Sequence, residues 1–103
     1  MQKILVTLDI TPEVVYEAEK VGADLIVAHH PILFHPAKQV TDGGMDLVGQ
    51  RVLALAERGI AAICCHTNWD SAQGGVNYVL AKLCGLEKQQ ILEVSGTDEQ
   101  GVP

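Results

Sequence analysis

The chain has 103 residues, the size of one domain. Lys and Arg total 7 against 13 Asp and Glu, and the resulting net charge of −6 argues against a surface for nucleic acid or anionic membranes. A hydrophobic share of 48% excludes a disordered chain. The N-terminus has no signal-peptide pattern, and the three cysteines form no CxxC pair, so we expect a soluble, cytoplasmic protein without disulfides or a zinc knuckle.

The apolar pattern alternates between strands and helices. The first half of the chain is predicted to contain a strand at Ile4–Leu8, a helix from Thr11 to Gly22, a strand at Leu25–Ala28 and a loop over His29–Gly44. The second half is predicted to contain a helix from Leu47 that ends at Gly59, a strand at Ile60–Cys65 and a loop over His66–Gly75. A helix from Val76 that ends at Gly85 and a fourth strand at Ile91–Val94 follow. The tail Ser95–Pro103 has the composition of an irregular segment.

This order predicts an α/β fold. Short, continuous apolar strands separated by helices are typical of a mostly parallel sheet. We therefore predict a three-layer-like βαβ domain in which residues 1–103 form a single partial domain.

Polar side chains follow the predicted strands at the points where they end. Asp9 closes the first strand, His29 and His30 follow the second, and His66 and Asp70 follow the third. Because parallel strands end at the same edge of a sheet, these side chains should converge. Imidazole and carboxylate groups together suit divalent zinc, manganese, iron, cobalt or nickel. The alternatives are exposed or capping histidines and carboxylates that bind loop amides.

Two sequence blocks resemble the signatures of the Nif-three-like proteins, the type two homologues of GTP cyclohydrolase I. The first block runs from Ala28 to Phe34 and continues to Pro36 and Lys38. The second block runs from His66 to Ala72 and continues through Gly74–Asn77. The opening segment Asp9–Val14 also resembles the family.

The resemblance implies a dinuclear metal site. It implies that His29, His30 and Asp70 are metal ligands, with Asp70 between two divalent ions, and that His66 lines the site as a catalytic residue. His66 would orient a water molecule or act as general acid or base. The resemblance further implies a homo-oligomer, a hexamer in intact family members, and a metal-dependent hydrolase or cyclohydrolase-like activity on a small molecule.

The chain departs from the family pattern in its length. Family members are much longer, and a further His and Glu ligand lie near their C-terminus, whereas no His follows His66 here. We therefore expect a truncated piece, with the activity belonging to the intact protein. The alternative is a non-catalytic metal-binding or protein-interaction domain. A phosphoesterase of the Asp-His-His type ranks lower, because Ala28 precedes the His pair where that family needs Asp.

Overall fold

The computed structural model describes residues 2–92, 94, 96–97 and 99–100. Its elements are β1 (Ile4–Thr7), α1 (Pro12–Val21), β2 (Leu25–Ala28), α2 (Leu47–Arg58), β3 (Ala61–Cys64), α3 (Thr67–Ser71) and α4 (Val76–Leu83). The chain divides into two compact units, Met1–His66 and Thr67–Pro103, and each is described by itself. No helix in the described part of the chain has the length and apolar character needed to cross a membrane.

The first unit is built on a parallel three-stranded sheet with the order β1-β2-β3. Its register pairs Val6 with Val27 and Val27 with Ile63. All three strands therefore end at one edge, as parallel pairing requires. The predicted α/β class with a parallel sheet is confirmed.

The predicted fourth strand is not found among its described residues. Ile91, Leu92 and Val94 lie outside any strand, and Glu93 lies outside the described residues. The three described side chains are exposed, so this apolar run lacks the packing that stabilises a strand. Of the predicted irregular tail, residues 96–97 and 99–100 are described and contain no helix or strand.

Helix α1 begins and ends at capping residues, within the predicted bounds. The hydroxyl of Thr11 accepts a hydrogen bond from the backbone N–H of Val14 at 3.2 Å, and Pro12 opens the helix. Gly22 ends the helix with φ at 75°, in the left-handed region that glycine enters at little cost. These caps fix where the chain turns back toward β2.

The core lies between one face of the sheet and helices α1 and α2. Ile26 and Ala28 of β2 are buried there against Val15 and Ala18 of α1 and Leu55 of α2. By contrast, every residue of β3 is exposed, although the strand is a continuous apolar run. In the described part of the chain β3 pairs only with β2, so it is an edge strand.

Helix α2 begins at an aspartate cap whose effect on stability depends on pH. The carboxylate of Asp46 accepts hydrogen bonds from the N–H of Thr41 at 2.7 Å, the N–H of Gly49 at 2.9 Å and the hydroxyl of Thr41 at 2.9 Å. The Thr41 backbone bond, followed by the other two, lowers the pKa of Asp46 below 3.8. Because the folded-state pKa is the lower one, the stabilisation is complete above about pH 4 and disappears as pH falls through the folded-state value.

We expect Asp46→Ala to lower the melting temperature at pH 7 by roughly 5 °C, because helix α2 loses its cap and the loop loses its anchor. The control Asp46→Asn keeps a hydrogen-bond acceptor but no charge, and its melting temperature should fall by less. Thermal unfolding followed by circular dichroism at pH 7 and at decreasing pH measures both. A deficit that stayed constant down to about pH 2 would contradict the role assigned to the carboxylate.

The second unit contains α3 and α4. The sequence predicts a loop over His66–Gly75, and the short helix α3 within it corrects that prediction. Five residues are too few to show a helical repeat of apolar side chains, so the pattern could not reveal it. Gly75 precedes α4 at a point where a Cβ atom would overlap the carbonyl oxygen of Trp69, so the glycine is required for close backbone approach.

Candidate metal centre

Three histidines from two adjacent strand ends form one cluster in the first unit. His29 and His30 directly follow β2, and His66 comes two residues after β3. Their ring centroids lie 5.1 Å (His29–His30), 5.4 Å (His29–His66) and 6.0 Å (His30–His66) apart. One ligand nitrogen from each ring lies within 4.8 Å of the others. The predicted convergence of these three residues is therefore observed.

The His29 ring is held by the main chain of the neighbouring strand. Its Nδ1 lies 2.8 Å from the carbonyl oxygen of Cys65, and the N–H of Cys65 donates to the carbonyl of Ala28 at 2.8 Å, continuing the β2–β3 pairing. A carbonyl oxygen can only accept, so Nδ1 of His29 carries a proton and leaves Nε2 as the nitrogen that a metal ion can use. Metal-bound histidines commonly use this arrangement.

The thiol of Cys64 lies beside this histidine without being a ready metal ligand. Its Sγ donates a hydrogen bond to the carbonyl oxygen of His29 at 3.1 Å. Desolvation raises the pKa of the Cys64 thiol, and the neighbouring Cys65 raises it further. Because a metal binds the thiolate form, the protonated thiol leaves the imidazoles as the principal donors.

The His30 ring is held by a carboxylate. Its Nδ1 lies 2.7 Å from Oδ1 of Asp9, and its backbone N–H donates to the carbonyl of Leu8 at 3.0 Å. Both side chains are about half exposed, 46% for His30 and 52% for Asp9. Polar residues that follow each of the three strands thus lie in one region of the sheet edge.

The cluster suits a divalent transition-metal ion. Neutral imidazoles bind zinc, iron, nickel and copper well. A tetrahedral ion with bonds of about 2.0–2.1 Å holds its ligand nitrogens about 3.4 Å apart. The nitrogens of the cluster lie within 4.8 Å, so small side-chain rotations bring them to that spacing. The half-exposed position of His30 permits such a rotation.

Asp70, the predicted carboxylate ligand, lies in helix α3 of the second unit. Its side chain is half-buried, and its backbone carbonyl accepts a hydrogen bond from Nδ2 of Asn77 at 2.9 Å. That bond ties α3 to α4 within the second unit. The role of Asp70 as a metal ligand stays a prediction.

Sequence reasoning about the site missed Phe34. Its ring lies edge-on to His66 with centroids 6.1 Å apart, and it also contacts His35 at 5.5 Å. Phe34 is 70% exposed and places an apolar ring beside His66. The only signal in the sequence was its place in the first block of the resemblance. His35 is exposed.

The comparisons with known proteins identify the family. The sequence matches the family described as Duf34/NIF3 (NGG1p interacting factor 3) over residues 1–101. The chain belongs to the Duf34/NIF3 family. The resemblance found in the two sequence blocks is thereby confirmed.

Similar Duf34/NIF3 proteins cover nearly all of this chain. It is 40% identical to a "GTP cyclohydrolase 1 type 2 homolog" of Clostridium perfringens, over 95% of this chain and 37% of the relative. A protein of the same name from Lactococcus lactis is 39% identical over 99% of this chain and 37% of the relative. The chain spans about a quarter to just over a third of the length of the curated relatives that it matches.

Solved structures of longer proteins share the fold of this chain. A Bacillus cereus protein related to NIF3 superimposes with a TM-score of 0.82 at 39% identity, over 89% of this chain and 25% of that chain. Reduced HcgD from Methanocaldococcus jannaschii superimposes with a TM-score of 0.76 at 33% identity, over 92% of this chain and 37% of that chain. The α/β arrangement found here is thus also the arrangement of part of these longer proteins.

Proposed function

We propose that this chain is the metal-binding part of a metal-dependent hydrolase that acts on a small molecule. The observation that carries the proposal is the cluster of three histidines at the ends of β2 and β3. Membership of the Duf34/NIF3 family and relatives named as GTP cyclohydrolase 1 type 2 homologs support a cyclohydrolase-like reaction of the whole protein. A bound ion would lower the pKa of a coordinated water and polarise the substrate.

The proposed roles follow the chemistry of each side chain. His29 and His30 hold the ion through Nε2, since each Nδ1 lies against an oxygen acceptor. Asp70 would supply a carboxylate ligand, as the resemblance implies. His66 orients the attacking water or carries its proton, and its nearness to the other two rings supports that role.

The assembled protein proposed here is a cytoplasmic homo-oligomer, a hexamer with two divalent ions in each complete site. Two observations agree with this setting. The described cysteines are free thiols, which suits a reducing compartment. Exposed apolar side chains on β1 and β3, including Val6 at 72% and Ile63 at 52% exposure, offer area for contact with further protein.

A rate assay combined with a metal count tests these roles. The intact protein that contains this chain is loaded with zinc, manganese, iron, cobalt or nickel and assayed on GTP and on nitrophenyl esters of carboxylic and phosphoric acids. We expect His66→Ala to retain the ion and to lose roughly 100-fold in rate, because general acid–base catalysis contributes about that much or more. Loss of the ion itself would identify His66 as a ligand and refute the catalytic role.

A second candidate function is a non-catalytic metal-binding or protein-interaction domain. The exposure of every β3 residue favours it, because an open sheet edge can pair with a strand of another protein. Full metal loading without hydrolysis of any substrate, in a chain that associates with itself at high concentration, would favour this alternative.

A further inference from the structure

Strand pairing sets Asp9 beside His30. The β1–β2 register pairs Thr7 with Ala28, the last residues of the two strands. Asp9, the second residue after β1, therefore lies opposite His30, the second residue after β2. The pairing continues beyond the strands, since the N–H of His30 donates to the carbonyl of Leu8 at 3.0 Å. The Thr7 hydroxyl also donates to the backbone carbonyl of Asp9 at 3.0 Å. These bonds hold the backbone of both residues in place, and none of them involves the side chain of Asp9 or His30.

The side-chain contact that results selects one form of the imidazole. Oδ1 of Asp9 lies 2.7 Å from Nδ1 of His30, a short distance typical of a charge-assisted hydrogen bond. An ionised carboxylate can only accept, so the proton of the neutral ring is on Nδ1 and the lone pair is on Nε2.

We propose that Asp9 is a positioning residue that keeps His30 in the Nδ1–H form and so presents Nε2 to a metal ion. The proposal deepens the function proposed above and rests on it. The pair is half exposed, and exposed polar or ionic side-chain pairs contribute little to folding stability. The main effect of Asp9 is therefore on the state of the ring and on metal affinity rather than on the fold.

His29 provides an internal reference for this proposal. Its Nδ1 lies against the main-chain carbonyl of Cys65, which no side-chain substitution removes. A variant of Asp9 should therefore alter the proton position in His30 and leave that of His29 unchanged. A general loosening of the sheet edge would instead alter both rings.

The test compares the wild type with Asp9→Ala and with Asp9→Asn, whose amide oxygen still offers a neutral acceptor. Long-range ¹H–¹⁵N NMR of the metal-free chain at about pH 8 reports which ring nitrogen carries the proton. We expect Nδ1–H in both histidines of the wild type, a shift of His30 alone toward Nε2–H in Asp9→Ala, and partial recovery in Asp9→Asn.

Zinc affinity, measured by competition with a chelating dye, completes the test. Loss of the hydrogen-bond partner of a metal-bound histidine typically lowers metal affinity about 10–100-fold. We therefore expect zinc affinity to fall by about that factor in Asp9→Ala and by a smaller factor in Asp9→Asn. Nε2–H in the His30 ring of the wild type, or equal zinc affinity in the wild type and Asp9→Ala, would overturn the proposal. Absence of zinc binding by a wild type whose His30 carries Nδ1–H would instead refute the proposed function.

Discussion

Replacing His30 with alanine is expected to weaken zinc binding by about 100-fold or more. The substitution removes one nitrogen from the three-histidine cluster, and loss of a ligand should cost at least as much as loss of the partner that orients it. Isothermal titration or dye competition measures the change. The ring is half exposed, so circular dichroism and the melting temperature should stay close to those of the wild type.

The matched control is His35→Ala. His35 lies in the same loop, is exposed and contacts Phe34, but it is not part of the three-histidine cluster. Its removal should change zinc affinity less than about two-fold. Equal losses in the two variants would mean that zinc binds loop histidines without preference. Unchanged affinity in His30→Ala would place the ion elsewhere.

Ile26→Ala should destabilise the chain by about 2–5 kcal/mol, the usual range for truncating a buried Ile. Ile26 is fully buried in the central strand, between α1 and α2 on the packed face of the sheet. Alanine would leave a cavity there. Since small domains are stable by only about 5–15 kcal/mol, the change removes a large part of the total.

The same truncation on an exposed site supplies the control. Ile4 lies in β1 with 53% exposure, and Ile4→Ala should cost about 1 kcal/mol or less. Urea unfolding of both variants gives the comparison as a shift in midpoint at constant slope. Similar losses of stability at the two positions would mean that β2 is not the centre of the core. A buried β2 would then not be what positions His29 and His30, which directly follow it.

The sequence predicted the elements whose signals are local and strong. Thr11, Pro12 and Gly22 delimit α1 as capping chemistry requires, and the short apolar runs coincide with β1, β2 and β3 to within a residue or two. Helix α3 was missed because its five residues are too few for a periodic pattern. The exposure of β3 could not be predicted, since it depends on which strands pair and not on the apolar run itself.

The histidine cluster was predictable for a topological reason. Parallel strands end at one edge, so residues directly after β2 and β3 must meet there. Their hydrogen-bond partners were not predictable in the same way. The acceptor for His29 is the backbone carbonyl of Cys65, which every residue type possesses. Asp9 was identified at the same edge, but its pairing with His30 depends on the β1–β2 register.

Counting the metal ions bound per chain is the direct test of the histidine cluster as a metal site. The wild-type chain, purified without a histidine tag and dialysed against trace divalent metals, would be compared with the double variant His29→Ala/His30→Ala by elemental analysis. We expect about one to two retained ions per wild-type chain and none in the variant. A wild-type chain that retains no ion, or a variant that retains as many as the wild type, would contradict the assignment of the histidine cluster as a metal site.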